Sequence, residues 1–212
     1  MVSTSAEAVY GLFNLFLTLG TLVGVVVGSY MIYNLLRYRA REDKPAEGEV
    51  SLGELPPRQG FPIKLLLSLV LSSAIVISLI VGTFSTLEYL ESPPRDSFEI
   101  RVTAFQWGWE FTYPNGVVVL GEGRIPANRP VKFIVTSRDV FHKFGVLELG
   151  IGIDAIPGKI NSYWTQVRVP GTYEIRCFEL CGTGHGVMIG KLVVMEPSEF
   201  ERWYQSQGGV SK

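Results

Sequence analysis

Four residues with soft donor atoms stand close together in CFELCGTGHGVM (177–188): Cys177, Cys181, His185 and Met188, in the spacing C-x3-C-x3-H-x2-M. Thiolate, imidazole and thioether together favour copper over magnesium, calcium or manganese, and zinc rarely accepts a thioether. Gly182, Gly184 and Gly186 fall between these residues, which disfavours a helix and suits a loop that closes tightly around something. The one other histidine is His142, in RDVFHKFGV. If it folds back onto the loop, the set becomes two Cys, two His and one Met. A single blue-type copper uses His2Cys and a distant axial Met, so the surplus thiolate points to a second metal. Taken singly, the residues have plainer readings: a Cys177–Cys181 disulfide, a core methionine, a satisfied histidine. All the Cys and His of the chain falling in two short segments favours the metal.

The elements that must position this set read as strands. Phe98, Ile100, Val102 and Ala104 alternate so as to share one face, as do Val131, Phe133 and Val135, then Tyr173, Ile175 and Cys177. Turn chemistry punctuates them at Pro114-Asn115-Gly116, Pro126-Ala127-Asn128, Pro157-Gly158 and Pro170-Gly171. Cys177 closes one strand and Met188 opens the next, Met188 to Val194, so the loop is held at both ends. The aromatic stretch Phe105-Gln106-Trp107-Gly108-Trp109 reads as part of a strand. After Pro197, Ser198 and Glu201 form a capping-box pattern and predict a short C-terminal helix.

Upstream the composition changes. No charge occurs over 8–36 or 65–87, runs of 29 and 23 residues, each longer than the ~20 a helix needs to cross a bilayer. The division is a membrane hairpin over 1–90, with helices at about 8–36 and 62–90 and a connecting loop at 37–61, then a mainly β domain over 91–212. Residues 1–8 hold Glu7 and no Lys or Arg, unlike a cleaved signal peptide. Arg37, Arg39, Arg41, Lys44, Arg58 and Lys64 lie between the helices, which places that loop in the cytoplasm and both the N-terminus and the β domain outside. On that oxidising side a disulfide is chemically permitted. Gly20, Gly24 and Gly28 recur every fourth residue in the first helix, either a face for close helix approach or ordinary glycine usage in membrane segments. The β domain carries 13 basic and 13 acidic residues, so bulk charge points to no nucleic acid and names no other partner.

DVFHKFGV, DAIPGKIN and PGTYEIRCFELCGTGHGVM, with FQWGWEFTYPNG upstream of them, resemble subunit II of the heme-copper oxygen reductases, the cytochrome c oxidase subunit with the dinuclear copper A centre. The hairpin before them fits the same family. The resemblance implies a cupredoxin-like Greek-key barrel or sandwich. It implies two copper ions bridged by the thiolates of Cys177 and Cys181, with one histidine, His142 or His185, on each. Met188 is then a weak axial ligand, and Glu179 supplies its backbone carbonyl to the other copper while its carboxylate points to a magnesium ion at the junction with subunit I. Trp107 matches the tryptophan where electrons enter, and Asp154 matches a segment near the subunit I junction, although a turn-forming Asp before Pro157 accounts for it equally. The partners implied are the heme-bearing subunit I, the other oxidase subunits, the membrane, and an extracytoplasmic donor, a cytochrome c or a small copper protein. A prokaryotic plasma membrane fits better than a mitochondrial inner membrane.

The chain departs from the family pattern in two places. Gly108 replaces the usual tyrosine between the tryptophans, and FPIKLLLSLVLS lacks the acidic residue that often begins the second helix. There is no C-x-x-C-H for a fused heme c. The alternatives are a copper A subunit of a nitric oxide reductase and a non-catalytic assembly domain with a disulfide.

Overall fold

The computed structural model describes residues 2–39 and 62–207, in two units. One joins the residues up to Gly11 with those from Phe84 onward, and the other runs from Leu12 to Thr83. The second consists of most of α1 (Thr4–Arg37) and α2 (Ile63–Glu91). At 34 and 29 residues these helices measure about 51 and 44 Å, against a hydrocarbon core of about 30 Å, and both are apolar enough to cross it. A Cβ on Gly82 would lie 3.5 Å from Leu15 and 3.7 Å from Leu12, whereas nothing lies within 4 Å of such an atom on Gly20, Gly24 or Gly28. The glycine stripe is therefore not where the two helices touch. Of the loop charges, Arg41, Lys44 and Arg58 lie outside the described residues.

In the β unit the alternating stretches become strands because each can turn one face inward. β1 (Phe98–Phe105), β2 (Gly108–Thr112), β3 (Val118–Leu120), β5 (Val131–Ser137) and β8 (Asn161–Thr165) form one sheet, in the order β3-β2-β1-β5-β8. β4 (Glu122–Pro126), β6 (His142–Val146), β7 (Ile151–Ala155), β9 (Gly171–Cys177) and β10 (Ile189–Met195) form the other, in the order β4-β10-β9-β6-β7. Non-consecutive strands lie side by side in both, as Greek-key connections require. Ile100, Val102, Phe133 and Val135 join Phe144, Ile175, Leu192 and Val194 in one core, each large apolar side chain contributing about 1.5–3 kcal/mol. The single-sequence alternation anticipated these inward faces because a strand's side-chain period is two.

Two boundaries differ from the sequence pattern. Helix α3 (Pro197–Gln207) begins at Pro197, whose missing N–H costs nothing at a first helical position. The N–H groups of Glu199 and Phe200 bond to the Glu196 carbonyl, so Ser198 and Glu201 lie inside the helix rather than forming its cap. Helix α1 begins at Thr4 instead of residue 8, because residues 2–7 are fastened to the β strands. Ser3 and Ser5 donate to the Leu149 carbonyl at 2.7 and 2.6 Å, and Arg168 pairs with Glu7. Gly150 (φ 64°) admits this close approach, since a Cβ there would stand 2.8 Å from the Ala6 Cα.

Candidate metal centre

Strand β6 sets down His142 and strand β9 ends on Cys177, and the pair Phe144↔Cys177 aligns them. The chain then loops through Cys181, makes one 3-10 turn at His185–Val187, and enters β10. Met188 ends that turn, so β10 starts at Ile189 and not at Met188. The Met188 carbonyl still accepts from the Cys177 N–H at 3.3 Å, which ties the two ends of the loop together.

The donor atoms form a chain of contacts with the sulfurs in the middle. Cys177 Sγ lies 3.8 Å from His142 Nδ1 and 3.8 Å from Cys181 Sγ, and Cys181 Sγ lies 3.6 Å from His185 Nδ1 and 3.7 Å from Met188 Sδ. The Glu179 carbonyl oxygen is 3.2 Å from Cys177 Sγ. Sulfur and nitrogen ligands at metal distances of about 2.3 and 2.0 Å stand about 3.5–3.8 Å apart around a tetrahedral ion, so these spacings fit metal binding. They do not fit a disulfide, whose sulfurs are about 2.05 Å apart, and both cysteines are free. His142, Cys177 and Cys181 by themselves form a buried three-donor cluster. All six residues expected from the sequence as copper ligands therefore converge.

In the metal-free chain the Cys181 thiol keeps its proton. Burial, reinforced by Cys177, pushes the Cys181 thiol well above its usual range, so a cation must displace its proton to bind the thiolate. His142 is 0% exposed, and its Nε2 lies 2.8 Å from Asp139 Oδ1. Burial raises the pKa of Asp139, but bonds from His142, Gln106 and Val140 outweigh it and bring the carboxyl down to about 2. A carboxylate only accepts, so Nε2 donates and Nδ1 keeps its lone pair facing the sulfurs. Asp139 was missed in the sequence. Its only signal was a carboxylate three residues before a candidate ligand.

The aromatic stretch is not one strand. β1 ends at Phe105 and β2 begins at Gly108, so Gln106 and Trp107 form the turn of a hairpin. That turn reaches the loop: Gln106 Nε2 and Trp107 Nε1 both donate to the Cys181 carbonyl, at 2.8 and 3.2 Å. Trp107 is 41% exposed, and its ring fills the space that a Cβ on Gly184 would need, 2.3 Å away. Gly108 has a reason of its own, because the Phe105 ring lies 2.8 Å from where its Cβ would be. Trp109 points inward and meets Phe144 edge-on, its centroid 6.4 Å from that of His142.

Asp154 sits on β7, away from the donor set. Its carboxylate pairs with Lys143 at 3.1 Å. It lines a cavity of about 530 Å³ with Lys143, Lys159, Ile160 and Asn161. The Glu179 carboxylate has no polar partner among the described residues.

Comparisons with known proteins agree with this fold. Residues 119–196 match the family described as cytochrome C oxidase subunit II, periplasmic domain. The chain is 39% identical to the heme-copper oxidase subunit 2 of Aeropyrum pernix, over 92% of this chain and 88% of that one. Among solved structures it is similar to the periplasmic domain of cytochrome oxidase subunit II of Bradyrhizobium japonicum, with a TM-score of 0.52 and 29% identity over 55% of this chain and 96% of that one. It also resembles the mixed disulfide intermediate between a thioredoxin-like protein and subunit II of cytochrome c oxidase, with a TM-score of 0.50 and 30% identity over 54% and 94% of the two chains.

Proposed function

Since the chain belongs to the heme-copper oxidase subunit 2 family, we propose that it is the subunit through which electrons enter the oxidase, holding a dinuclear copper A centre. The observation that carries this is the order of the donors: His142, Cys177, Cys181, then His185 and Met188, with both thiols interior to the set. Cys177 and Cys181 would bridge, His142 and His185 would each bind one ion, and Met188 and the Glu179 carbonyl would complete the two sites. Bound there, copper supplies a one-electron couple shared between two metals. The protein's part is to keep the donors still and dry. His142, Cys177, Cys181 and Met188 are buried, and two strands fix the loop ends, which limits rearrangement on electron transfer.

Trp107 is the proposed point of access, being exposed on one side and bonded to the Cys181 carbonyl on the other. The β domain would face outside the cell, with an electron donor on the Trp107 side and the heme-bearing subunit I beyond Glu179 and Asp154. The unpartnered Glu179 carboxylate suits a magnesium ion completed by that subunit. The relative held in a mixed disulfide with a thioredoxin-like protein supports a step in which a similar reductant keeps Cys177 and Cys181 reduced before copper loading.

The test is copper loading of the full chain in detergent. Two copper ions per chain and an electron paramagnetic spectrum split by two equivalent nuclei are expected. Coupling to one nucleus only overturns the dinuclear reading. Oxygen consumption by the complex that co-purifies is expected, and nitric oxide consumption in its place would move the chain to a nitric oxide reductase.

A further inference from the structure

Two segments distant in sequence meet on a single carboxylate. Asp139 Oδ1 receives His142 Nε2 at 2.8 Å and the Val140 N–H at 2.6 Å, while Oδ2 receives the Gln106 N–H at 2.7 Å. His142 is a proposed copper ligand, and Gln106 leads the hairpin turn that carries Trp107. The same turn is fastened to the metal loop by Gln106 Nε2 and Trp107 Nε1 on the Cys181 carbonyl. Asp139 itself is steadied by the Ser137 hydroxyl, which accepts its N–H at 3.2 Å. The side chain thus closes a ring of hydrogen bonds from His142 through the turn to Cys181 and back through the two sulfurs.

We propose that Asp139 is a positioning residue: one carboxylate fixes His142 with Nδ1 free for metal and locks the Gln106–Trp107 turn to the same point. Its two oxygens do separate work. Oδ1 sets the imidazole, and Oδ2 holds the turn. An ion-binding histidine whose other nitrogen is held by a carboxylate keeps its tautomer and ring orientation, and removal of such a support typically lowers metal affinity about 10–100-fold. The second oxygen couples that support to the indole, so the tryptophan surface and the buried ligand move as one body. The consequence for copper rests on the reading given under Proposed function, whereas the consequence for His142 holds without metal.

The experiment uses the full chain with 15N-labelled histidine and tryptophan. In the metal-free wild type, His142 is expected as the Nε2–H tautomer, with slow exchange of the Trp107 indole N–H. Asp139→Ala is expected to give mixed tautomers, faster Trp107 exchange and a roughly 10–100-fold weaker copper affinity in chelator competition. Asp139→Asn is expected to split the two effects. Its carbonyl oxygen still accepts from His142 and keeps the tautomer, but its amide opposes the Gln106 N–H and frees the turn. The split separates positioning from a merely structural role. The proposal is overturned if Asp139→Ala leaves tautomer and affinity unchanged, or if Asp139→Asn loses both as Ala does. Should the Ala variant not fold, Asp139→Asn decides alone, and unchanged Trp107 exchange overturns the proposal. If wild-type chain binds no copper, the dinuclear reading falls while the resonance measurements still decide the role of Asp139.

Discussion

The two histidines of the donor set are held in opposite ways. His142 projects from a strand, is fully buried, bonds to Asp139 and lies beside the ring of Trp109. His185 sits in a 3-10 turn between glycines, is half-buried, and among the described residues its Nε2 has no hydrogen-bond partner. The first half of the centre is therefore shaped by the sandwich core before any ion arrives. The second is shaped by a loop whose glycines admit Trp107 against the backbone, and on the proposed reading metal would complete it by linking it to the first half. A donor set that is half preformed keeps its geometry on the buried side and leaves a way in for the ion on the other.

The largest effect is expected where the halves join. Cys181→Ser removes the sulfur that touches Cys177, His185 and Met188, and should abolish the two-copper spectrum, leaving at most one copper per chain by metal analysis. Next comes the contrast between the histidines in the metal-free chain. His142→Ala opens a cavity and strips Asp139 of a donor, so denaturant unfolding should show a loss of about 2–3 kcal/mol, whereas His185→Ala should cost under about 0.5 kcal/mol. Equal losses would erase the distinction drawn above.

A finer test lies within the loop. Gly184→Ala would drive a Cβ into the Trp107 ring, while nothing lies within 4 Å of a Cβ on Gly186. Gly184→Ala should therefore lose about 1–3 kcal/mol and expose the indole to acrylamide quenching, and Gly186→Ala should do neither. The smallest effect concerns the frame. Burial raises the Tyr113 hydroxyl above its usual 10.0, and that hydroxyl accepts the Arg124 N–H at 2.6 Å and donates to the Arg124 carbonyl at 3.0 Å. A folded-state pKa raised above the unfolded one means stability fully present below about pH 10 and lost as pH rises toward the folded value. Tyr113→Phe should cost about 1 kcal/mol at neutral pH and flatten part of that alkaline loss, with both histidine contrasts unchanged.

Much of this was legible in the residues. Soft donors at C-x3-C-x3-H-x2-M, separated by glycines, favoured a metal over a disulfide, and the alternating stretches announced strands because period-two burial is a local property of the chain. The long uncharged runs likewise fixed two helices by length alone, though not that Thr4 would be the first residue of α1, which depends on Ser3 and Ser5 reaching the Leu149 carbonyl. The hairpin at Gln106–Trp107 was misread as continuous strand because all its aromatic residues suit a strand, and only the cross-strand pair Phe105↔Gly108 reveals the turn. The capping box was misplaced for a similar reason: Ser198 has the right chemistry, but the Glu196 carbonyl accepts the first helical N–H groups and the helix starts at Pro197.

The sequence by itself determined which atoms could bind metal, that copper was favoured, and that a membrane hairpin precedes a β domain, since residue type, spacing and hydropathy carry those properties directly. Only the tertiary structure decided that His142, 35 residues before Cys177, lies beside its sulfur, that the cysteines stay apart, and that Asp139 joins His142 to the tryptophan turn. Those facts depend on which strands lie side by side, and strand order is set by burying one shared core, which no local pattern of residues records.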